Sequence, residues 1–199
     1  MSKRKIDEMK ESPKCHWTWA MPHKNTFTIK PIAQLIEQYV PENAKKLGQV
    51  WIDPFANNSV YASRMSYTND LNEEFNTTHH MDALDFLKSL PSNSVDGVLF
   101  DPPYTIHQIN EVYKGYGDLK PVKQATAYYS EIDRVCKEHA MVISFGYTGG
   151  GVPTTLSRDL QLEKLEKGKK RKTSFKKKEV LVVAHGGGHQ ATLVVVDER

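Results

Sequence analysis

Short apolar runs alternate with polar turns and helical patterns along most of this chain. The runs predict strands at residues 49–53, 65–68, about 78–81, 95–100 and 141–145. Apolar side chains at helical spacing predict one helix that begins at Pro31 and ends near Pro41, and another over 124–137. Strands separated by helical or looped crossovers favour an α/β fold with a doubly wound, mostly parallel sheet.

The two ends of the chain have different patterns. Near the end, apolar runs at 179–184 and 191–196 are joined by the glycine-rich stretch 185–190. This arrangement predicts an antiparallel hairpin that closes the sheet. Residues 1–16 are polar and mixed in charge, which predicts a flexible arm before a single domain over 17–199.

The composition, 199 residues with 39% hydrophobic and 26% charged, is typical of a soluble globular domain. No apolar run approaches the roughly 20 residues that span a bilayer, so no membrane association is expected. The charged start has no apolar core behind it and does not resemble a secretory signal. Cys15 and Cys136 have no framework spacing and are expected to be free thiols. These features predict a cytoplasmic protein.

The net charge is only +3, but basic residues are concentrated in a predicted loop, 164–178. Such a run can bind phosphates of a nucleic acid, or it can be a solvated loop that only aids solubility. The side chains that we expect to contact phosphates are Lys169, Lys170, Arg171, Lys172, Lys176 and Lys177.

The predicted strand at 95–100 runs directly into Asp101-Pro102-Pro103-Tyr104. The exocyclic amine of a nucleobase is a poor nucleophile because its lone pair is delocalised into the ring. The Asp101 carboxylate and the Pro102 carbonyl can accept its two hydrogens and localise that pair. Pro102 and Pro103 stiffen the turn, and Tyr104 offers a flat face for a base removed from its stack. The alternative is an ordinary turn in which the prolines only end the strand.

Three further aspartates follow predicted strands: Asp53, Asp70 and Asp82. In a doubly wound sheet, ligands bind outside the carboxyl ends of the strands. A carboxylate at Asp70 can accept from ribose hydroxyls, and one at Asp82 from an adenine amine. Taken singly, each is more often a turn or helix-cap residue. With Asp101, the succession indicates a site for two ligands.

These motifs resemble those of the S-adenosylmethionine-dependent amino-methyltransferases of DNA, particularly the N6-adenine group, over about residues 19–196. Thr28-Ile29-Lys30-Pro31 resembles motif X, Asp53-Pro54-Phe55 motif I, Asp70 motif II, Asp82 motif III and Asp101 to Tyr104 motif IV. The order is similar to the gamma arrangement. Small phage and prophage adenine methylases share features like those at 69–72, 114–117 and 183–187.

The resemblance implies a Rossmann-like class I methyltransferase fold with S-adenosylmethionine as cofactor. The implied cofactor-binding residues are Thr28, Lys30, Pro31, Asp53, Pro54, Phe55, Asp70 and Asp82. The implied partner is DNA, with RNA possible, in the host cytoplasm if the gene is phage-borne. The chain has no room for a separate target-recognition domain, so sequence reading is expected from 105–124, from 147–178 or from a partner, and weak specificity is an alternative. A homodimer is also an expected form of partnership. No metal is expected, since His185 and His189 lack further ligands nearby in sequence.

One departure from the family pattern lies in motif I. Glycines usually follow Pro-Phe there, whereas this chain has Ala56-Asn57-Asn58-Ser59. Asn tolerates left-handed backbone better than most residues, so it can replace glycine in such a loop.

Several alternatives stay open. The same chemistry can methylate cytosine N4, an RNA base or a glutamine side chain, although Asp before Pro-Pro favours adenine. From a different class of protein, the chain can be a non-catalytic nucleic-acid-binding descendant of such an enzyme.

Overall fold

A seven-stranded mixed sheet forms the centre of the molecule. The structure, a computed structural model, describes residues 12–103, 109, 113–116, 125–146, 155–157, 170–172, 175–187 and 189–199. The strands of the large sheet are β1 Lys14–Trp19, β2 Trp51–Asp53, β3 Tyr67–Thr68, β4 Val95–Phe100, β5 Cys136–Gly146, β8 Lys176–Ala184 and β9 Thr192–Glu198. Two further strands, β6 Thr155–Ser157 and β7 Lys170–Lys172, pair antiparallel in a small separate sheet.

The order across the large sheet is β3-β2-β4-β5-β9-β8-β1. The strands from β3 to β5 are parallel. Strand β9 is antiparallel to both β5 and β8. The predicted fold class and the predicted C-terminal hairpin are therefore confirmed. The sheet has a Rossmann-like topology with an antiparallel C-terminal hairpin.

Strand β1 adds an edge that the sequence pattern did not indicate. It pairs in parallel with β8, so residues 14–16 lie in a strand and not in the predicted arm. The strand is mostly exposed, with Trp17 72% and Trp19 56% exposed, which explains why its pattern resembles a loose segment. Residues 1–11 lie outside the described part of the chain.

Helices cover both faces of the sheet. They are α1 Lys30–Tyr39, α2 Ala83–Ser89 and α3 Ala125–Val135. Helix α1 buries Ile32, Leu35 and Ile36 against one face, in a cluster that includes side chains of β5, β8 and β9. Helices α2 and α3 contribute to a second cluster with side chains of β2, β4 and β5. Among the described residues, no helix is long and apolar enough to cross a membrane.

The predicted strand at about 78–81 is reduced to one parallel bridge between Asn69 and His79. The hydroxyls of Thr68 and Thr78 bind backbone groups that would otherwise pair in a longer ladder between the two segments. Thr78 Oγ1 donates to the Thr68 carbonyl at 2.7 Å and accepts from the Thr68 amide at 2.8 Å. The prediction of a full strand there was wrong because side-chain hydrogen bonds compete with the ladder.

The Trp51 side chain of β2 lies against the backbone of β4 at Gly97. Gly97 faces Trp51 directly, and a Cβ atom at position 97 would overlap the indole ring. Trp51 is only 2% exposed. The glycine therefore lets a large side chain fill the space beside the strand that leads to Asp101.

Candidate functional site

Three carboxylates converge at one edge of the sheet. Asp53 ends β2, Asp70 lies just beyond β3, and Asp101 directly follows β4. Because these strands are parallel, their carboxyl ends lie on the same side. The charges of Asp101 and Asp70 both raise the pKa of Asp53, so each of these two carboxylates lies within electrostatic range of Asp53. The structure thus brings together the acidic residues of the predicted motifs I, II and IV.

Asp53 is a buried carboxyl group with one unpaired oxygen. Its Oδ1 accepts from the Phe55 amide at 3.1 Å, and its Oδ2 has no hydrogen-bond partner among the described residues. The Ser59 hydroxyl is near enough to lower the pKa of Asp53, but it makes no bond of ordinary geometry to Oδ2. Burial above all, then the neighbouring carboxylates, raises the pKa of Asp53 from 3.8 to about 8. A buried carboxyl oxygen without a hydrogen-bond partner lowers the stability of the folded chain, so its presence indicates a site for a ligand group.

The loop after Asp53 has the left-handed turn that the sequence allows. Asn57 has a φ of 45°, and its amide donates to Asp70 Oδ2 at 3.0 Å. The Ala56 amide donates to the Asn69 carbonyl at 2.9 Å. Asparagine therefore does take the conformation for which glycine is usual, and the loop is tied to the end of β3.

Asn69 connects three of the predicted motifs. It is 1% exposed, and its Nδ2 donates to the carbonyls of Pro54 at 3.1 Å and Met81 at 3.0 Å. Its Oδ1 accepts from the Met81 amide at 3.2 Å. The side chain thus spans the motif I loop and the segment before Asp82. The sequence offered one signal for this role, an asparagine directly after a strand and before Asp70.

Asp70 is fully buried and accepts three hydrogen bonds. The donors are the amides of Asn72 at 2.9 Å and Asn57 at 3.0 Å, and the hydroxyl of Tyr113 at 3.3 Å. Burial raises the pKa of Asp70, and these three donors oppose the rise. The hydroxyl of Tyr116 donates to Asn72 Oδ1 at 2.9 Å. Nothing in the sequence indicated that two tyrosines 43 or 44 residues away would reach this site.

The predicted catalytic motif lies at the same edge. Pro102 is buried, while Asp101 and Pro103 are half-buried beyond the end of β4. Tyr104 lies outside the described residues. The preceding Phe100 packs with its ring centroid 5.7 Å from that of Phe55. This contact fixes the motif I loop against the strand that carries Asp101.

The predicted motif X residues lie at the start of α1. Thr28 ends a short 3₁₀ helix, Lys30 is the exposed first residue of α1, and Pro31 stands in its first turn. The segment approaches the motif I loop where Asn25 Nδ2 donates to the Asn58 carbonyl at 3.5 Å. Pro54, predicted with motif I, is buried next to Asp53.

Asp82 caps α2. Its Oδ1 accepts from the amides of Leu84 at 2.9 Å and Asp85 at 3.3 Å. Asp82 is thus the N-cap of α2, and its Oδ2 takes no part in these two hydrogen bonds. Helix α2 itself was not predicted from the sequence, where a turn or helix-cap role was only the alternative to a ligand role for Asp82.

The predicted basic loop, 164–178, is partly strand. Lys170, Arg171 and Lys172 form β7, and residues 176–178 begin β8. Lys177 Nζ lies 3.9 Å from Asp197 Oδ1, and Lys178 Nζ lies 3.0 Å from Glu198 Oε2. Lys176 is exposed, and Lys169 lies outside the described residues. The start of β8 therefore carries positive charge that acidic residues of β9 partly offset. The prediction of an uninterrupted loop missed this pairing because the partners are remote in sequence.

His185 is held within the sheet. Its Nδ1 lies 2.8 Å from the Ala20 carbonyl, and its Nε2 lies 2.9 Å from Thr192 Oγ1. Within the part of the chain that the structure describes, no cluster of three or more His, Cys, Asp or Glu side chains could hold a metal ion.

Comparison with known proteins gives the class of fold. No protein-family model matches this chain, and no curated protein matches it. Among solved structures, a candidate rRNA methylase from Clostridium thermocellum is 13% identical, with a TM-score of 0.50 over 89% of this chain and 99% of that one. This similarity supports the methyltransferase fold and, at such low identity, no more than the fold.

Two other solved structures match less well. TrmN from Thermus thermophilus is 18% identical, with a TM-score of 0.47 over 86% of this chain and 49% of that one. A SAM-dependent methyltransferase from Archaeoglobus fulgidus is 17% identical, with a TM-score of 0.40 over 59% of this chain and 52% of that one. The matches span about half of each of these two proteins.

Proposed function

We propose that this chain is an S-adenosylmethionine-dependent methyltransferase that modifies the exocyclic N6 amine of adenine in DNA. The observation that carries the proposal is the convergence of Asp53, Asp70 and the Asp101-Pro102-Pro103 turn at one edge of a methyltransferase-type sheet. The fold supports the class of reaction, and the residues after β4 support the kind of substrate.

The acceptor groups at the edge fit the proposed cofactor. When bound, S-adenosylmethionine supplies a methyl group on a sulfonium ion and also carries an ammonium group and a ribose. The buried, unpaired Oδ2 of Asp53 suits a cationic partner. Asp70 suits ribose hydroxyls, and the oxygen of Asp82 that does not cap α2 suits the adenine amine. Thr28, Lys30, Pro31 and Phe55 would flank the methionine end.

The substrate side of the site rests on Asp101. Its carboxylate and the Pro102 carbonyl would accept the two hydrogens of the amine and orient its lone pair. Tyr104 would stack on the flipped base, an arrangement that offsets an extrusion cost of about a few kcal/mol. The proton that the amine loses would leave to Asp101 or to water. In this scheme, the rate enhancement comes from the positioning of the amine and the methyl group and from electrostatic stabilisation of the transition state.

The alternatives differ in the polymer and the base. The same groups can act on cytosine N4 or on an RNA base, and a non-catalytic descendant would bind nucleic acid without reacting. Incubation with isotope-labelled S-adenosylmethionine and either DNA or RNA, followed by nucleoside mass spectrometry, separates these possibilities. We expect labelled N6-methyladenine in DNA. Label on cytosine or in RNA would replace the proposed substrate, and cofactor binding without any label would favour the non-catalytic descendant.

Asp101→Ala tests the catalytic role. We expect at least about a 100-fold loss of methyl transfer, the scale for removing one group that stabilises the transition state, with cofactor binding retained. Asp85→Ala, which removes an exposed carboxyl on α2, is the matched control. Full activity of the Asp101 variant would refute the assignment.

A further inference from the structure

The Asp70 carboxylate, which is proposed to bind ribose, already accepts a hydrogen bond from one tyrosine, and a second tyrosine binds the nearby Asn72. Tyr113 donates to Asp70 Oδ2, and Tyr116 donates to Asn72 Oδ1. Tyr113 is 8% exposed and Asp70 is fully buried, so this hydrogen bond is shielded from solvent. The proposed function uses neither tyrosine. The Tyr113 hydroxyl therefore occupies an oxygen of the carboxylate that a ribose would use.

The two kinds of bond at Asp70 differ in quality. The backbone amides of Asn72 and Asn57 bind at 2.9 and 3.0 Å, within the ordinary range for N–H donors. The Tyr113 hydroxyl binds at 3.3 Å, well beyond the usual 2.7–2.8 Å for O–H donors. The two amides are backbone groups of the loops that form the site. The hydrogen bond from the Tyr113 hydroxyl is the longest of these three bonds to Asp70 and is expected to be the weakest. A ribose hydroxyl is chemically equivalent to that tyrosine hydroxyl as a donor.

We propose that Tyr113, supported by Tyr116, closes the ribose side of the site, and that cofactor binding exchanges the Tyr113 hydroxyl on Asp70 for a hydroxyl of the ribose. This inference rests on the proposed function. It makes the segment 113–116 a gate whose closed form competes with the cofactor. The apparent affinity for the cofactor is then reduced by the fraction of molecules in the closed form.

The test measures binding of S-adenosylhomocysteine, which has the ribose but no transferable methyl group, by calorimetry. Tyr113→Phe removes the hydroxyl and keeps the ring, so it weakens only the closed form. We expect its Kd to fall three- to tenfold, with a smaller fall for Tyr116→Phe. Tyr39→Phe is the matched control, because it removes a tyrosine–carboxylate bond of 2.5 Å to Glu179 and is expected to leave the Kd unchanged.

Hydrogen exchange gives a second readout that does not depend on a variant. The amide of Tyr113 donates to the Ile109 carbonyl at 2.8 Å, and that of Tyr116 to the Tyr113 carbonyl at 3.1 Å. Exchange at both amides is expected to speed up when S-adenosylhomocysteine binds to the wild-type chain. Slower or unchanged exchange would overturn the gate.

The outcomes separate this inference from the proposed function. If the wild-type chain binds no S-adenosylhomocysteine, the proposed function fails and the gate fails with it. If the wild-type chain binds and Tyr113→Phe binds equally well or more weakly, the gate alone is refuted. A weaker variant would mean that the hydroxyl helps to hold the cofactor.

Discussion

The raised pKa of Asp53 has a direct consequence for stability. Unfolding returns the carboxyl from a pKa of about 8 to its ordinary 3.8. Between these values the folded chain holds one more proton than the unfolded chain. Stability from this group is therefore fully present below pH 3.8 and is lost as the pH rises towards about 8. Asp53→Asn replaces the carboxyl with a neutral group of the same shape and removes that dependence.

The magnitude follows from the size of the shift. Each unit of pKa corresponds to about 1.4 kcal/mol, so the wild-type chain loses about that much per pH unit relative to the variant. From pH 5 to pH 7, the free energy of unfolding of Asp53→Asn minus that of the wild type should grow by about 3 kcal/mol. The growth should level off above pH 8, where the folded wild-type carboxyl is already ionised.

Urea unfolding followed by tryptophan fluorescence measures this difference, since Trp51 is buried in the same strand. Asp85→Asn, which removes an exposed carboxyl, controls for the loss of one charge. A difference between Asp53→Asn and wild type that stays constant from pH 5 to pH 8 would show that Asp53 ionises normally.

Two substitutions test the packing that positions the site. Gly97→Ala drives a methyl group into the Trp51 ring and should lower the free energy of unfolding, measured by chemical denaturation, by about 1–3 kcal/mol. Gly186→Ala is the control and should cost less, because its added Cβ would lie 3.5 Å from the nearest side chain. Equal costs would argue against the close approach of Gly97 to Trp51. Asn69→Ala leaves one buried and two partly buried backbone groups without their partner and should cost about 1–3 kcal/mol, together with weaker cofactor binding. Asn76→Ala, at an exposed position, is its control, and a neutral Asn69 variant would contradict the connecting role.

Much of the fold was predictable because its signals are local. The apolar run at 95–100 became β4 with the same bounds, and the helical pattern that opens with Pro31 became α1. The hairpin of β8 and β9 also followed from two apolar runs and a glycine-rich turn. Strand β1 escaped prediction because its residues are exposed and it pairs with β8, far away along the chain.

The sequence by itself determined which chemical groups the site contains. The aspartates after the strands, the stiff Asp-Pro-Pro turn and the left-handed Asn57 all depend on short segments whose preferences neighbouring residues set. Only the tertiary structure decided how those groups are partnered. The unpaired oxygen of Asp53 and the hydroxyl of Tyr113 on Asp70 depend on burial and on contacts between distant segments. No local pattern encodes such contacts, because they arise only when the strands and loops pack together.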